Sequence, residues 1–521
     1  MDRHKKGHHS ILVYFLLSGI LLGAFAIRYK GITFGLPLPT HPDETIIMRN
    51  VRAMVHRGDA NPHFFNYPSL FLYMQAAVYR AVDASGGTAG TRGRLQDGDV
   101  STIFLAGRSL TLLLSLATLL AVFFIGRLLF DRGTGVAATL ILAACSLHVS
   151  NSVYITVDSP MTFWVMLSFL QAVLIFERGP RWIYYILGAV FAGLAVGTKY
   201  TAFLVFLPLA FAHFHAHPFS WKALFHRKLL VASLLVVLAF LATTPYALLD
   251  FQNFIQAIRF ESSHYSRGHL GAAADSVSYL QYGGLLLQGF GLWLTLVALG
   301  AAVRLLFLEH RRGILCLLYP LSFFLYIGMF RTYFSRNLLS LTPFLALLAA
   351  FGALRASRYL LRAAKQGLPP RHWPAGAASA LAIVLAGVGL WQQGFLSYHQ
   401  VSESILTDTR LEAKRWIMAN LPKGARIACG KYAPLLDRKW FQVRNFGFKA
   451  SLKREAKLNR FDYIITSSLS YNRYYRDRKK YKKYIDFHER LFASYLCIKE
   501  FAPDGVRTTG PTIKILKVMK K

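Results

Sequence analysis

Apolar runs of about twenty residues recur along this chain between short polar breaks, and that recurrence limits the fold more than any other feature. A helix needs about 20 mostly apolar residues to cross the hydrocarbon core of a bilayer, where every backbone polar group must find its partner within the segment. Runs of this kind lie near residues 10–28, 108–130, 134–152, 157–176, 182–198, 200–216, 228–247, 281–304, 313–330, 337–354 and 376–395. Only Lys199 and Tyr200 separate 182–198 from 200–216, so these are either two short spans or one broken one. A soluble protein with 54% hydrophobic residues would expose apolar patches of intolerable size. The same composition excludes a disordered or collagen-like chain, and four cysteines in 521 residues exclude a disulfide scaffold. The expected fold is a polytopic α-helical membrane protein of about eleven transmembrane helices.

The basic residues orient these spans, because short cytoplasmic loops carry an excess of Lys and Arg. Alternate connections hold that excess: Arg3, Lys5 and Lys6; Arg127 and Arg132; Arg178 and Arg181; Lys222, Arg227 and Lys228; Arg304, Arg311 and Arg312; and Arg355, Arg358, Arg362, Lys365 and Arg371. Counting 182–198 and 200–216 separately preserves the alternation; merging them breaks it. The N-terminus is then cytoplasmic and the C-terminus external. The first span begins like a signal peptide and has Ala24-Phe25-Ala26 near its end, but its long apolar core reads as a retained anchor.

Three segments are too polar to span, and all fall on the external side: 29–107, 248–280 and 396–521. Residues 1–395 are therefore read as the transmembrane domain with external loop 29–107, and residues 396–521 as a basic external α/β domain. In that tail Arg426–Cys429, Asp462–Thr466 and Thr512–Leu516 read as strands, and 409–420 as a helix. The formal net charge of +35 divides about equally between the two parts. It is explained by cytoplasmic loops and by a tail suited to anionic lipid head groups, without nucleic acid.

Carboxylates are scarce, which makes their positions informative. Of the fourteen Asp and Glu before residue 396, only Asp2, Asp131, Glu177 and Glu309 fall on the cytoplasmic side. Thr40-His41-Pro42-Asp43-Glu44 follows the first span closely and precedes an amphipathic stretch. There Ile47, Val51, Met54 and Val55 share one face, suited to a membrane interface. One reading is a helix start, with Thr40 as N-cap and acidic residues complementing the dipole. The other is a carboxylate held at the water–lipid boundary as a general base. Asp158, in Val157-Asp158-Ser159-Pro160, has the same two readings. Lys199, Arg331 and Arg336 are cations on external connections, against the orienting bias. They serve either as interfacial anchors or as ligands of a lipid-linked phosphate. His213, His215 and His217 look like a metal tract, but residues two apart do not share a helical face, and solvation at a helix end is the simpler reading. There is no H-E-x-x-H or CxxC pair and no Walker or Rossmann glycine pattern. Cys145 and Cys316 read as packed thiols; Cys429 and Cys497 either pair or remain free.

The order of these pieces resembles the GT-C glycosyltransferases, in the protein mannosyltransferase and aminoarabinose transferase group (glycosyltransferase family 39 and relatives). The resemblance rests on His41-Pro42-Asp43-Glu44, Asn66-Tyr67-Pro68-Ser69-Leu70, Thr156-Val157-Asp158-Ser159-Pro160, Gly193-Leu194-Ala195-Val196-Gly197-Thr198-Lys199-Tyr200, Pro245-Tyr246 and Arg336-Asn337-Leu338-Leu339 before Pro343. It covers roughly residues 10–355 and implies a GT-C fold. It also implies an inverting transfer of sugar from a polyprenyl-phosphate donor to a lipid, glycan or protein acceptor. The implied place is the periplasmic or external face of a bacterial inner (plasma) membrane. By the same resemblance Asp43 is the general base, Glu44 helps orient it or the sugar, and Asp158 holds substrate hydroxyls. Lys199, Arg331 and Arg336 would neutralise the donor phosphate, with His41, Tyr67 and Tyr333 as further substrate contacts. No cofactor is implied with certainty; a divalent metal is compatible with the chemistry. The chain lacks a Trp-Trp-Asp motif in its tail, which argues against en bloc glycan transfer, and an evident β-trefoil-like insert, which argues against a protein acceptor. A transporter or flippase for lipid-linked sugars is the alternative. Such proteins place ionisable groups mid-membrane and often carry inverted repeats, whereas here the acids gather at one surface.

Overall fold

The computed structural model describes residues 2–87, 100–271, 277–366, 373–445 and 458–519. Arg371, counted above among the orienting cations, lies outside them.

Helices occupy all eleven apolar ranges. Among the described residues six helices are long and apolar enough to cross a membrane alone: Ile11–Gly31, Ser101–Leu129, Asp158–Arg178, Trp221–Thr243, Ser335–Gln366 and Pro374–Ser404. A seventh span arises if Tyr279–Gly289 and Leu292–Leu308, bent by 110°, count as one. The bend falls at Gly291, whose φ of 95° suits glycine and few other residues. Trp182–Thr198 and Tyr200–Ala216 are shorter, and between them Lys199 adopts an extended backbone.

One apolar core joins Ser101–Leu129, Asp158–Arg178, Trp182–Thr198 and Thr342–Gln366, with wholly buried Phe169, Tyr185, Leu209 and Tyr319. Small residues let helices approach where no hydrophobic drive separates protein from lipid. A Cβ on Gly193 would sit 2.5 Å from Ala239 Cβ and 2.6 Å from Val236 O, so the helix ending at Thr198 lies directly on Arg227–Thr243.

Ion pairs sort by end. Asp131 meets Arg358, Arg312 bridges Glu177 and Glu309, and Arg355 joins Glu309. All of these were given one side by the charge alternation. At the opposite end Asp43, Asp158, Lys199 and Arg336 pair among themselves.

The helix Pro42–Arg57 differs from expectation in two respects. Its N-cap is His41 rather than Thr40, and the side chain of His41 makes no capping bond. The reason is Pro42 at the first helical position, which holds the preceding residue in extended backbone. Its apolar face does not lie on lipid. Ile47, Met48, Val51 and Met54 are buried against Phe71, Leu72, Ile103, Phe104 and Ile155.

In the tail a five-stranded sheet has Arg426–Cys429 at its second position, between Gln442–Asn445 and Tyr463–Ser467. Both of those neighbours run parallel to it. Ile513–Lys517 and Leu496–Phe501 complete the sheet antiparallel. Helices Thr409–Asn420 and Arg478–Ser494 cover it. Arg410 donates to Thr40 O at 3.2 Å, tying the tail to the segment just before Asp43. Cys429 is buried and Cys497 exposed, and both are free thiols, as are buried Cys145 and Cys316.

Candidate active site

Asp43 and Glu44 begin the helix Pro42–Arg57, where the helix dipole favours negative charge. Adjacent helical residues face different ways, and these two part company. Glu44 turns into the protein. Its Oε1 and Oε2 accept from Nε and Nη2 of Arg108, both at 2.8 Å, and Oε1 also accepts from Ile155 N at 2.9 Å. Both side chains are wholly buried. Arg108 Nη1 further donates to Ile32 O and Phe34 O, at 2.6 and 2.9 Å, and the guanidinium stacks on the Phe34 ring. Glu44, expected to help orient Asp43 or the sugar, is engaged at both oxygens and ties the Asp43 helix to Arg108 and Ile155.

Asp43 faces the other cluster. Its Oδ2 lies 2.9 Å from Arg336 Nη1. Arg336 Nε lies 3.8 Å from Asp158 Oδ2, and Asp158 Oδ1 accepts from Lys199 Nζ at 2.6 Å. Thr156 Oγ1 donates to Asp158 Oδ2 at 2.9 Å. Lys199 also donates to Asn337 Oδ1 at 2.9 Å, and Asn337 Nδ2 donates to the Tyr282 hydroxyl at 2.7 Å. Residues from four stretches of chain thus interlock two carboxylates with two cations. Arg336 thus lies between the two carboxylates, closer to Asp43 than to Asp158.

Beside this cluster is a cavity of about 180 Å³, walled in part by Asn66, Tyr67, Lys199, Tyr200, Glu261, Tyr265 and Asn337. Glu261 accepts from Asn66 Nδ2. Burial pushes the phenol of Tyr265 up to about 12 and that of Tyr67 upward too, so both keep their protons and can donate hydrogen bonds to a ligand. The helix Phe251–Arg267 is fixed over the cavity because Tyr265 O accepts from Arg331 N and Thr332 N, at 3.2 and 3.1 Å.

The structure brings together Asp43, Asp158, Lys199, Arg336 and Tyr67 among the residues expected from sequence. Arg331 enters this frame through its backbone. Tyr333 packs against the core edge-to-face with Tyr282 at 6.4 Å. His41 stacks on Tyr154 at 4.0 Å. Two residues of this region, Arg108 and Glu261, were not singled out by the sequence. The signal for Arg108 was present: a charged residue in a long apolar helix is expensive and pairs with something.

The histidine tract also departs from the expected solvation. His213 is buried, its Nδ1 meeting the Tyr185 hydroxyl at 2.8 Å and its Nε2 meeting Ala223 O at 3.0 Å. His215 stacks on Phe176, while His217 lies beside His226 instead.

Burial lowers the pKa of His41, against the opposing pull of Asp43 and Glu44, and lowers that of His269 to about 4. An unfolded histidine titrates near ~6.5. Below that pH the unfolded chain takes up protons that the folded chain refuses, so stability falls as pH falls. The melting temperature of the detergent-solubilised protein is expected to drop from pH 7.5 to pH 5, and His269→Asn should flatten part of that slope. An unchanged melting curve over this range would contradict the buried, neutral state.

Residues 96–260 match the model of the dolichyl-phosphate-mannose-protein mannosyltransferase family, a stretch holding Arg108, Asp158 and Lys199 but not Asp43. No curated protein sequence matches significantly. Among solved structures the chain is similar to ArnT from Cupriavidus metallidurans in the apo state, at 13% identity and a TM-score of 0.57. That alignment covers 98% of this chain and 99% of the other. The same enzyme bound to undecaprenyl phosphate matches at 13% identity and a TM-score of 0.55, over 96% and 97%. The oligosaccharyltransferase AglB from Archaeoglobus fulgidus, in complex with an inhibitory peptide and a dolichol-phosphate, matches at 12% and 0.57, over 95% of this chain and 74% of that one. Over nearly its whole length the chain therefore shares the fold of these two glycosyl-transferring membrane proteins, ArnT and AglB.

Proposed function

We propose that this protein transfers a sugar from a polyprenyl-phosphate donor to an acceptor hydroxyl at the external face of the membrane, with inversion at the anomeric carbon. About eleven helices anchor it. The observation that carries the reading is the interlocked set Asp43–Arg336–Asp158–Lys199 beside a cavity at the end of the bundle assigned to the outside. Asp43 takes the acceptor proton as the acceptor oxygen attacks the anomeric carbon, and the bond from that carbon to the phosphate oxygen breaks. The leaving phosphate carries the charge that develops. Arg336 and Lys199 stand ready for it, with the guanidinium fork suited to two phosphate oxygens. In the structure these cations are occupied by Asp43 and Asp158. An incoming phosphate draws Arg336 from Asp43, and the freed carboxylate is then open to the acceptor hydroxyl. Donor binding therefore prepares the acceptor step. The match of residues 96–260 and the fold shared with ArnT support this assignment.

Arg336→Ala is expected to raise the KM for the donor more than that for the acceptor and to lower kcat by ~10²–10³-fold, as loss of one charge-stabilising donor does. Arg336→Lys should recover part of the loss. Steady-state kinetics with each substrate varied in turn provides the test; equal effects on both KM values would remove the phosphate role.

A further inference from the structure

Opposite the catalytic cluster, at the end assigned to the cytoplasm, three imidazoles converge. His213 comes from the helix Phe206–Ala216, His217 directly follows it, and His226 caps the helix Arg227–Thr243. One ring nitrogen from each lies within 4.8 Å of the others. The His213 and His217 ring centroids are 4.8 Å apart, and His217 and His226 stack at 4.5 Å.

We propose that this cluster is a structural site for a borderline transition-metal ion of the zinc class, clamping the turn 217–226 between the two helices. Three observations favour an ion over plain packing. His217 Nε2 is shielded from solvent and has no hydrogen-bond partner, which costs free energy unless something fills its lone pair or takes its proton. His213 is held by its surroundings, with Nε2 at the backbone carbonyl of Ala223, the kind of outer contact that orients ligating histidines, and Nδ1 at the Tyr185 hydroxyl, a bond that an ion must displace. Finally, the spread is close to what an ion needs: zinc–nitrogen bonds of ~2.0–2.1 Å in a tetrahedron put ligand nitrogens roughly 3.4 Å apart, so side-chain rotation closes the set. Three imidazoles leave a fourth position for water. Loading exchanges local bonds for metal bonds, among them the 2.8 Å contact of His213 Nδ1 with the Tyr185 hydroxyl and the 3.2 Å bond from Lys228 N to His226 Nδ1. The Lys228 ammonium, the nearby cation that would oppose an ion, is held by Pro180 O and lies over the rings of Trp182 and Tyr185. His215 takes no part, since it stacks on Phe176.

The test uses the full-length protein, purified in detergent through a histidine-free tag, stripped with chelator and titrated with Co²⁺. The wild type should bind one ion with the intensified visible absorption of a tetrahedral site, and Zn²⁺ should displace it and raise the melting temperature. His217→Ala and His226→Gln should each weaken binding at that site by more than about 100-fold, beyond the ~10–100-fold typical of an outer-shell partner. His215→Ala should bind as the wild type does. Zinc-edge X-ray absorption of the loaded wild type, which needs no variant to fold, should show three imidazole ligands. Absence of a tetrahedral Co²⁺ signal, full binding by both variants, or a zinc shell without imidazole would each overturn the site.

Discussion

Asp43→Asn protein is expected to accumulate in the membrane at wild-type levels and to lose sugar transfer by ~10²–10⁴-fold, the range of a lost general base. The carboxamide has the shape of the carboxylate and still offers an oxygen to Arg336, so folding should change by only ~1 kcal/mol or less, as for other partly exposed ion pairs. What it cannot do is accept a proton from a hydroxyl. Donor binding should survive, because the phosphate contacts assigned to Lys199 and Arg336 are untouched. The measurement is single-turnover transfer alongside donor binding to the same purified sample. Transfer at the wild-type rate would remove Asp43 from the chemistry.

The second large effect lies beneath the site. Arg108→Ala is expected to destabilise the protein by ~3–5 kcal/mol, because it strands the buried Glu44 carboxylate without its counter-ion. The carbonyls of Ile32 and Phe34 lose their donor at the same time. Arg108→Lys should rescue little, since a point charge cannot serve two carboxylate oxygens and two carbonyls together. The double variant Glu44→Gln with Arg108→Met should be more stable than Arg108→Met alone, because it no longer buries an unpaired charge. Thermal unfolding in detergent reads all four proteins. A wild-type melting temperature for Arg108→Ala would mean that the pair does not hold the Asp43 helix in place.

The two acids show what was legible in the chain and what was not. Asp43 stood out because acids are scarce and it follows the first span, and Asp158 because an acid at a membrane edge is costly. Asn66-Tyr67, Lys199 and Arg336 carried enough local pattern to be chosen as well. Their partners were hidden. Nothing local ties Asp158 to Lys199, 41 residues on, or Lys199 to Asn337, 138 residues on; both meetings are products of helix packing. Glu44 could not be told from its neighbour in sequence: both are acids at one helix start, and only the packing of Ser101–Leu129 reveals that one of them faces Arg108. That residue escaped notice because the apolar run was taken to begin at 108, which made the arginine an edge residue. The helix begins at Ser101 and puts it in the interior. Likewise the apolar face of Pro42–Arg57 was legible as a face, but amphipathic periodicity alone does not distinguish lipid from protein as its cover. In the tail, strands Arg426–Cys429 and Tyr463–Ser467 follow from short β-branched runs. Gln442–Asn445 is polar and more exposed, and became a strand only by pairing with its neighbour.

Chemical transfer from a lipid phosphate and movement of the intact lipid-linked sugar leave different products. The most direct test reconstitutes the protein in liposomes with a polyprenyl-phosphate sugar and an acceptor-containing membrane extract, and follows free polyprenyl phosphate by mass spectrometry. The wild type is expected to release polyprenyl phosphate in step with glycosylated acceptor of inverted anomeric configuration, and Asp43→Asn to release almost none. Intact donor appearing in the opposite leaflet, with no phosphate released by either protein, would contradict chemical transfer and favour a flippase.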